Sequence, residues 1–231
     1  MLMRVKRLSP AHIRANQAIR LSELPPGAWP CNTLGNHDAP RVWSRYGDGV
    51  NDTALARLHA ALMLTLKGTP FLYNGEEIGM RDLVLSELSQ FRDTAARRQY
   101  HMLLEQGATP EQALREAIET TRDRCRGPLH WSDAPNAGFS PPGVATWLPV
   151  DPNYADGVNV AAQQGDASSL LAFYRRLLRL RRTTPALVGG DYHALHQHSE
   201  EYLAFLESAN KRWVKLWSSI NGACGSMQPV T

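Results

Sequence analysis

Ala28-Trp29-Pro30-Cys31-Asn32-Thr33-Leu34-Gly35-Asn36-His37-Asp38-Ala39-Pro40-Arg41 is the stretch on which the architecture turns. Residues 28–34 read as a short buried strand that runs into the polar Gly35-Asn36-His37-Asp38. A later stretch has the same layout. Lys67-Gly68-Thr69-Pro70 breaks a helix, Phe71-Leu72-Tyr73 reads as a second short strand, and Asn74-Gly75-Glu76-Glu77 follows it. Between the two, Asp52 or Thr53 can cap a helix rich in alanine and leucine that runs to about Leu66. Strand, helix, strand in this order is the rhythm of a parallel α/β fold. His37-Asp38 and Glu76-Glu77 both follow the carboxyl ends of their strands, the edge where a parallel α/β barrel collects catalytic groups. Two strands do not close a barrel, which takes about 250 residues by itself.

Residues 11–23 read as a helix that stops before Pro25-Pro26-Gly27. A polar helical hairpin is expected from Leu83 to Gln106 and, after a stop at Gly107, from Pro110 to Thr121. Residues 127–166 are rich in Pro, Gly, Asn and Asp and read as a long ordered loop. Ser168 to Thr184 reads as an amphipathic helix. Residues 190–206 read as two short strands, the start of a separate β module.

Lys and Arg together number 25 and Asp and Glu 22, a net charge of +3. That excess is too small to mark a nucleic-acid partner. The basic run Arg175 to Arg182 carries leucines at helical spacing, which gives a helix with one apolar and one solvated basic face. Cys31, Cys125 and Cys224 are far apart and form no metal or disulfide pattern, so reduced thiols in a cytoplasm are expected. No signal peptide is visible at the N-terminus. The apolar segment Leu55 to Leu66 is too short to span a bilayer, so no membrane partner is expected.

Asn36-His37-Asp38-Ala39-Pro40-Arg41 places an amide, a titratable ring, a carboxylate and a guanidinium within six residues at a strand end. A carboxylate there can stabilise a cationic transition state, and the histidine can bond a substrate hydroxyl. Arg41 can hold a carboxylate ionised or bind a sugar oxygen. The residue types alone leave open a purely structural turn, or a metal-binding pair that would need further ligands. Glu76 and Glu77, adjacent on a strand, would face opposite ways, so at most one of them meets a site. Arg122 to Pro128 reads as a solvated helix end. His193, His196 and His198 fall out of step for a metal site, and neither metal nor cofactor is expected.

Segment by segment, the chain resembles the α-glucosidase and oligo-1,6-glucosidase branch of the α-amylase superfamily. Trp29 to Asp38, with Arg41 after it, is similar to that family's seventh barrel strand. Gly68-Thr69-Pro70-Phe71-Leu72-Tyr73-Asn74-Gly75-Glu76-Glu77-Ile78-Gly79-Met80 is similar to its eighth. Arg124 to Trp131 with Asn136 to Phe139 resembles the loop that follows. Trp147-Leu148-Pro149-Val150 through Asn159-Val160, and the helix at 168–184, resemble the barrel's closing segment. The likeness covers roughly residues 11–207, in the family's order and spacing.

The resemblance implies the C-terminal part of a (β/α)₈ barrel over 1–188 and the start of a truncated β-sandwich over 189–207. Residues 208–231 are expected to form an atypical, disordered tail. It implies retaining hydrolysis of α-glucosidic bonds in short oligosaccharides or disaccharides by a carboxylate nucleophile and an acid/base about 5–5.5 Å apart. Asp38 would be the third carboxylate, which steadies the transition state. His37 would bind hydroxyls of the glucosyl unit, Arg41 would shape that subsite, Arg126 would wall the leaving-group side, and Glu76 would be a support. No segment resembles the strands that carry the nucleophile and acid/base, so a fragment inactive by itself is expected. A non-catalytic sugar- or partner-binding relative, and a sucrose or trehalose isomerising transferase, remain the alternatives.

Overall fold

The computed structural model describes residues 8–25, 27–209, 212–219 and 227–230, the last two spans as backbone only. In chain order the elements are α1 (Pro10–Glu23), β1 (Cys31–Asn32), α2 (Val42–Tyr46), α3 (Asp52–Thr65) and β2 (Thr69–Pro70), then α4 (Thr94–Glu105) and α5 (Pro110–Thr120). After a long irregular stretch come α6 (Val160–Gln164), α7 (Leu170–Thr183) and α8 (Pro185–Gly189). The chain ends on β3 (Asp191–Leu195), β4 (Tyr202–Ala209), β5 (Arg212–Ser219) and β6 (Met227–Val230). They form two compact units. One comprises residues 1–34, 45–72 and 170–231, the other residues 35–44 and 73–169.

In the first unit β1 and β2 pair in parallel, Cys31 opposite Thr69 and Asn32 opposite Pro70. The expected strands 28–34 and 71–73 are thus present only as short ladders, and the second sits earlier than expected. The Phe71 amide still donates to the Asn32 carbonyl at 2.7 Å, but the Phe71 and Leu72 side chains are exposed. Asn32 also donates from its side chain to the Leu66 carbonyl at 2.9 Å, which ties β1 to the end of α3. In α1, Pro10 occupies the first turn and Ser9 caps it by accepting from the His12 amide at 3.2 Å. α3 starts after Asn51. Asp52 does not cap it through its side chain, which instead accepts the amides of Asp48 and Gly49 in the preceding turn.

α3 buries Ala60, Met63 and Leu64, and α7 buries Leu171, Tyr174 and Leu177. Arg175, Arg176, Arg179 and Arg182 are exposed as the basic run suggests, but Arg181 is buried. Its guanidinium donates to the carbonyls of Leu64 at 2.8 Å and Gly68 at 2.5 Å. It thereby satisfies a carbonyl of the last turn of α3, at Leu64, that the helix end would otherwise leave orphaned, and ties the helix to the approach to β2 at Gly68. The four late strands make an antiparallel sheet in sequential order, with Leu203, Ala204 and Phe205 of β4 buried. β5 and β6 lie in the stretch expected to be a disordered tail. They pair as regular strands, Ala204 opposite Trp217 and Val214 opposite Pro229. The remainder of that stretch, Cys224 included, lies outside the described residues.

In the second unit α4 and α5 form the expected hairpin. Gly107 takes φ +90° between them, and Thr109 and Gln112 make a reciprocal capping box. The helix does not begin at Leu83. Leu83 and Leu85 are buried with Val84 exposed between them, the alternation of an extended segment. A single 3₁₀ turn at Leu88–Gln90 follows, and Asp93 caps α4. Leu83, Leu85 and Phe91 form a core with Ala96, Ala117 and Leu148. Residues 127–166 hold only short helical turns, as expected of an ordered loop. No described helix is long and apolar enough to cross a membrane.

Candidate active site

The residues after β1 and after β2 belong to the second unit and meet within it. Asn36 accepts the Asp38 amide on its side-chain oxygen at 2.8 Å, and the Ala39 amide returns to the Asn36 carbonyl at 3.4 Å. This tight turn projects its two middle residues outward. The His37 and Asp38 side chains are 67% and 47% exposed, with Nε2 of His37 3.4 Å from Oδ2 of Asp38.

Two guanidiniums hold the turn. Arg126 donates from Nε to the His37 carbonyl at 2.7 Å and from Nη2 to Oδ1 of Asp38 at 2.8 Å. Arg122 reaches the same Oδ1 from Nη1 at 3.3 Å. Arg122 is itself gripped by the buried Asp93, Nε to Oδ2 at 2.9 Å and Nη2 to Oδ1 at 3.1 Å. These charge-assisted bonds, the Arg122 side chain first, draw Asp93 far below the usual carboxylate range and lift Arg122 above its own. The Arg122–Cys125 turn that supplies these groups buries Asp123, which accepts the amides of Arg92 and Asp93 at 2.6 and 2.7 Å. The stretch that reads as a solvated helix end is therefore the rear wall of the site. Cys125 is a buried free thiol within it, raised to about 11 by burial.

Arg41 lies behind the turn and is 2% exposed. Its amide donates to Oδ1 of Asp82 at 2.7 Å and its Nη1 to the Asn74 carbonyl at 2.8 Å, with the guanidinium 5.0 Å from the Tyr73 ring centre. Glu76 opens a 3₁₀ turn rather than ending a strand, and it is buried while Glu77 is half-exposed. Glu77 spends its carboxylate on the Gly75 amide at 2.9 Å. Glu76 accepts from the Tyr73 amide on Oε2 at 3.4 Å and leaves Oε1 without a hydrogen-bond partner. Burial pushes its carboxyl up to about 8, although the Tyr73 amide and the Arg41 charge pull the other way. A Cβ on Gly35 would stand 2.1 Å from that Oε1, so the glycine is what lets Glu76 approach the turn. Gly75, at φ +93°, has the same role against Met80 and Arg41.

His37, Asp38 and Arg126 therefore converge at the surface, while Arg41 and Glu76 brace the turn from inside. Residue type and spacing do not point to Arg122 and Asp93. The one available signal is Asp93 ahead of Thr94-Ala95-Ala96, since a carboxylate there can cap a helix. The arrangement offers an exposed carboxylate whose Oδ1 is fixed by two guanidiniums, a preoriented group for developing positive charge. The histidines farther on serve local bonds, His193 with the Ser208 hydroxyl at 3.1 Å and His196 with the Tyr202 hydroxyl at 2.7 Å. No cluster of three or more metal-ligating side chains exists among the described residues. A hollow of about 600 Å³ in the same unit is lined by Trp147, Asn136, Gln90, Arg92 and Tyr154 among others, and by none of His37, Asp38, Arg41, Glu76 or Arg126.

Residues 3–190 match the family model described as the alpha amylase catalytic domain. The probable oligo-1,6-glucosidase 2 of Bacillus subtilis (strain 168) is 34% identical over 179 residues, which are 77% of this chain and 31% of that protein. The alpha-glucosidase of Pediococcus pentosaceus is 36% identical over 182 residues, 76% of this chain and 32% of that one. Among solved structures, the trehalulose synthase of Pseudomonas mesoacidophila MX-45 aligns with a TM-score of 0.82 at 32% identity, over 92% of this chain and 38% of that one. The chain thus spans about a third of the length of the curated relatives it matches. With its α/β architecture and with the greater part of its length inside that domain, the chain belongs to the α-amylase family, in the company of the oligo-1,6-glucosidases and α-glucosidases.

Proposed function

We propose that this chain carries the subsite and transition-state-stabilising portion of a retaining α-glucosidase that acts on short α-glucosides. In this reading β1 and β2 are the seventh and eighth strands of a (β/α)₈ barrel. Asp38 faces the sugar ring as it gains oxocarbenium character, and His37 binds hydroxyls of the same glucosyl unit. Arg126 orients Asp38 and borders the leaving-group side. Arg41 and Glu76 support the turn from behind. The observation that carries the reading is the exposed Asp38 carboxylate held at one oxygen by Arg126 and Arg122, beside an exposed His37. A nucleophile and an acid/base carboxylate about 5–5.5 Å apart are still needed for retaining hydrolysis, and no pair in this chain is assigned those roles.

The chain by itself should therefore not hydrolyse p-nitrophenyl α-glucoside. Turnover that survives purification and disappears in Asp38→Asn would mean that the roles are misassigned. A second reading, isomerisation of sucrose, is favoured by the likeness to trehalulose synthase. Joining this chain to the preceding portion of an oligo-1,6-glucosidase and analysing the products from sucrose separates the two. Release of glucose and fructose supports hydrolysis, and a rearranged disaccharide supports isomerisation.

A further inference from the structure

We infer that the hollow beside Trp147 is a second carbohydrate-binding site, one that holds a stretch of α-linked glucan apart from the sugar unit at Asp38. The choice of ligand rests on the α-glucoside chemistry proposed above. Trp147 is 48% exposed, yet its ring is not free to swing. The indole N–H donates to the Arg126 carbonyl at 3.1 Å, and the Phe139 ring stands edge-on at 4.9 Å and 83°. An indole fixed at one edge and one side offers its remaining surface as a rigid platform and loses little freedom when a ligand stacks on it.

The rest of the lining fits a sugar better than a purely apolar ligand. Gln90 uses its side-chain oxygen to accept the Ser86 and Glu87 amides at 2.8 and 3.2 Å, which leaves its NH₂ group to donate. Arg92 and Tyr154 add a guanidinium and a phenol to the same wall. A pyranose ring has an apolar C–H face and a rim of hydroxyls, which is the complement of one aromatic platform ringed by donors. At about 600 Å³ the hollow has room for more than one sugar unit. Arg126 joins the two sites, with its carbonyl on Trp147 and its guanidinium on Asp38.

The test is a calorimetric titration of the full chain and its variants with maltotriose and with isomaltotriose, with the Trp147 indole N–H resonance of the parent chain as the local reporter. A saturable shift in the millimolar range is expected. Trp147→Ala should weaken binding at least tenfold and Trp147→Phe only a few-fold, since phenylalanine keeps a stacking face. Asp38→Asn should leave the affinity unchanged. Should Trp147→Ala fail to fold, Arg92→Ala, at an exposed position, should still weaken binding several-fold. Absence of saturable binding, or unchanged binding in both Trp147→Ala and Arg92→Ala, would overturn the proposal. Binding lost in Asp38→Asn would overturn it too and move the sugar to the Asp38 site, leaving the proposed function intact.

Discussion

Nη2 of Arg126 lies 2.8 Å from Oδ1 of Asp38, across 88 residues of chain, and the same guanidinium holds the His37 carbonyl. One side chain thus fixes both the main chain and the carboxylate of the turn. Lysine offers a single point charge where arginine offers a planar fork, so Arg126→Lys should not restore this geometry. In a chimeric enzyme that carries the preceding portion of a relative, Arg126→Lys should lower kcat/KM about as much as Arg126→Ala. Equal activity of Arg126→Lys and the parent would show that charge alone suffices.

Asp93 both caps α4, by accepting the Ala95 amide at 3.0 Å, and grips Arg122 with three bonds, two to the guanidinium and one to the amide. Asp93→Ala removes the cap and leaves the guanidinium unpaired, so a loss of roughly 1–3 kcal/mol is expected. Because the folded carboxyl is drawn below its ordinary value of 3.8, its contribution is present above that pH and is lost as the medium becomes more acidic. Urea melts at pH 7 and pH 3 check this. The Asp93→Ala deficit should shrink at the lower pH.

Two buried carboxyls act with the opposite sign. Burial lifts Glu76, in the second unit, to about 8, and it lifts Glu207, in β4 of the first unit, to about 8 against the pull of Lys67 and Arg181. A carboxyl whose folded pKa is raised favours the fold below its unfolded value near 4.5, and that contribution is lost as pH rises through about 8. Stability should therefore fall between pH 5 and pH 8, and both Glu76→Gln and Glu207→Gln should flatten that slope. A slope unchanged in both variants would contradict the burial of these groups as charged-form penalties.

Gly35→Ala should be among the most damaging small substitutions in the chain, because its methyl carbon would meet the Glu76 carboxyl at 2.1 Å. A destabilisation of about 1–3 kcal/mol is expected from such overpacking. Glu76→Ala placed in the same chain should recover part of the loss, since the obstructing group is gone. Melting temperatures of the two single variants and the double variant form the cycle that measures this coupling.

Punctuation residues explain what could be read from the chain alone. Pro25, Gly107 and Pro110 mark helix boundaries, and the end of α1, the α4–α5 turn and α5 sit where those residues place them. The parallel pairing of β1 with β2 followed from two apolar runs separated by one helix. From Leu83 to Asp93, leucine, serine and glutamate suggest a helix by composition, whereas the burial of Leu83 and Leu85 repeats every second residue. Charge pattern alone turns Arg181 toward solvent, because it carries no information on the distant carbonyls of Leu64 and Gly68 that the side chain meets. The pairing of Arg122 with Asp93 spans 29 residues and no local pattern encodes it.

In the proposed function, Asp38 stabilises charge that develops only in the transition state. In the same chimeric enzyme, kcat, KM and melting temperature of Asp38→Asn test it most directly. Loss of one preorganised electrostatic partner typically costs on the order of 10²–10³ in kcat, and KM and melting temperature should change little. His37→Ala should cost less in kcat and more in KM, because a hydroxyl contact is partly made in the ground state. A lowered melting temperature with kcat within a few-fold of the parent would contradict the account, and would make Asp38 a brace of its turn.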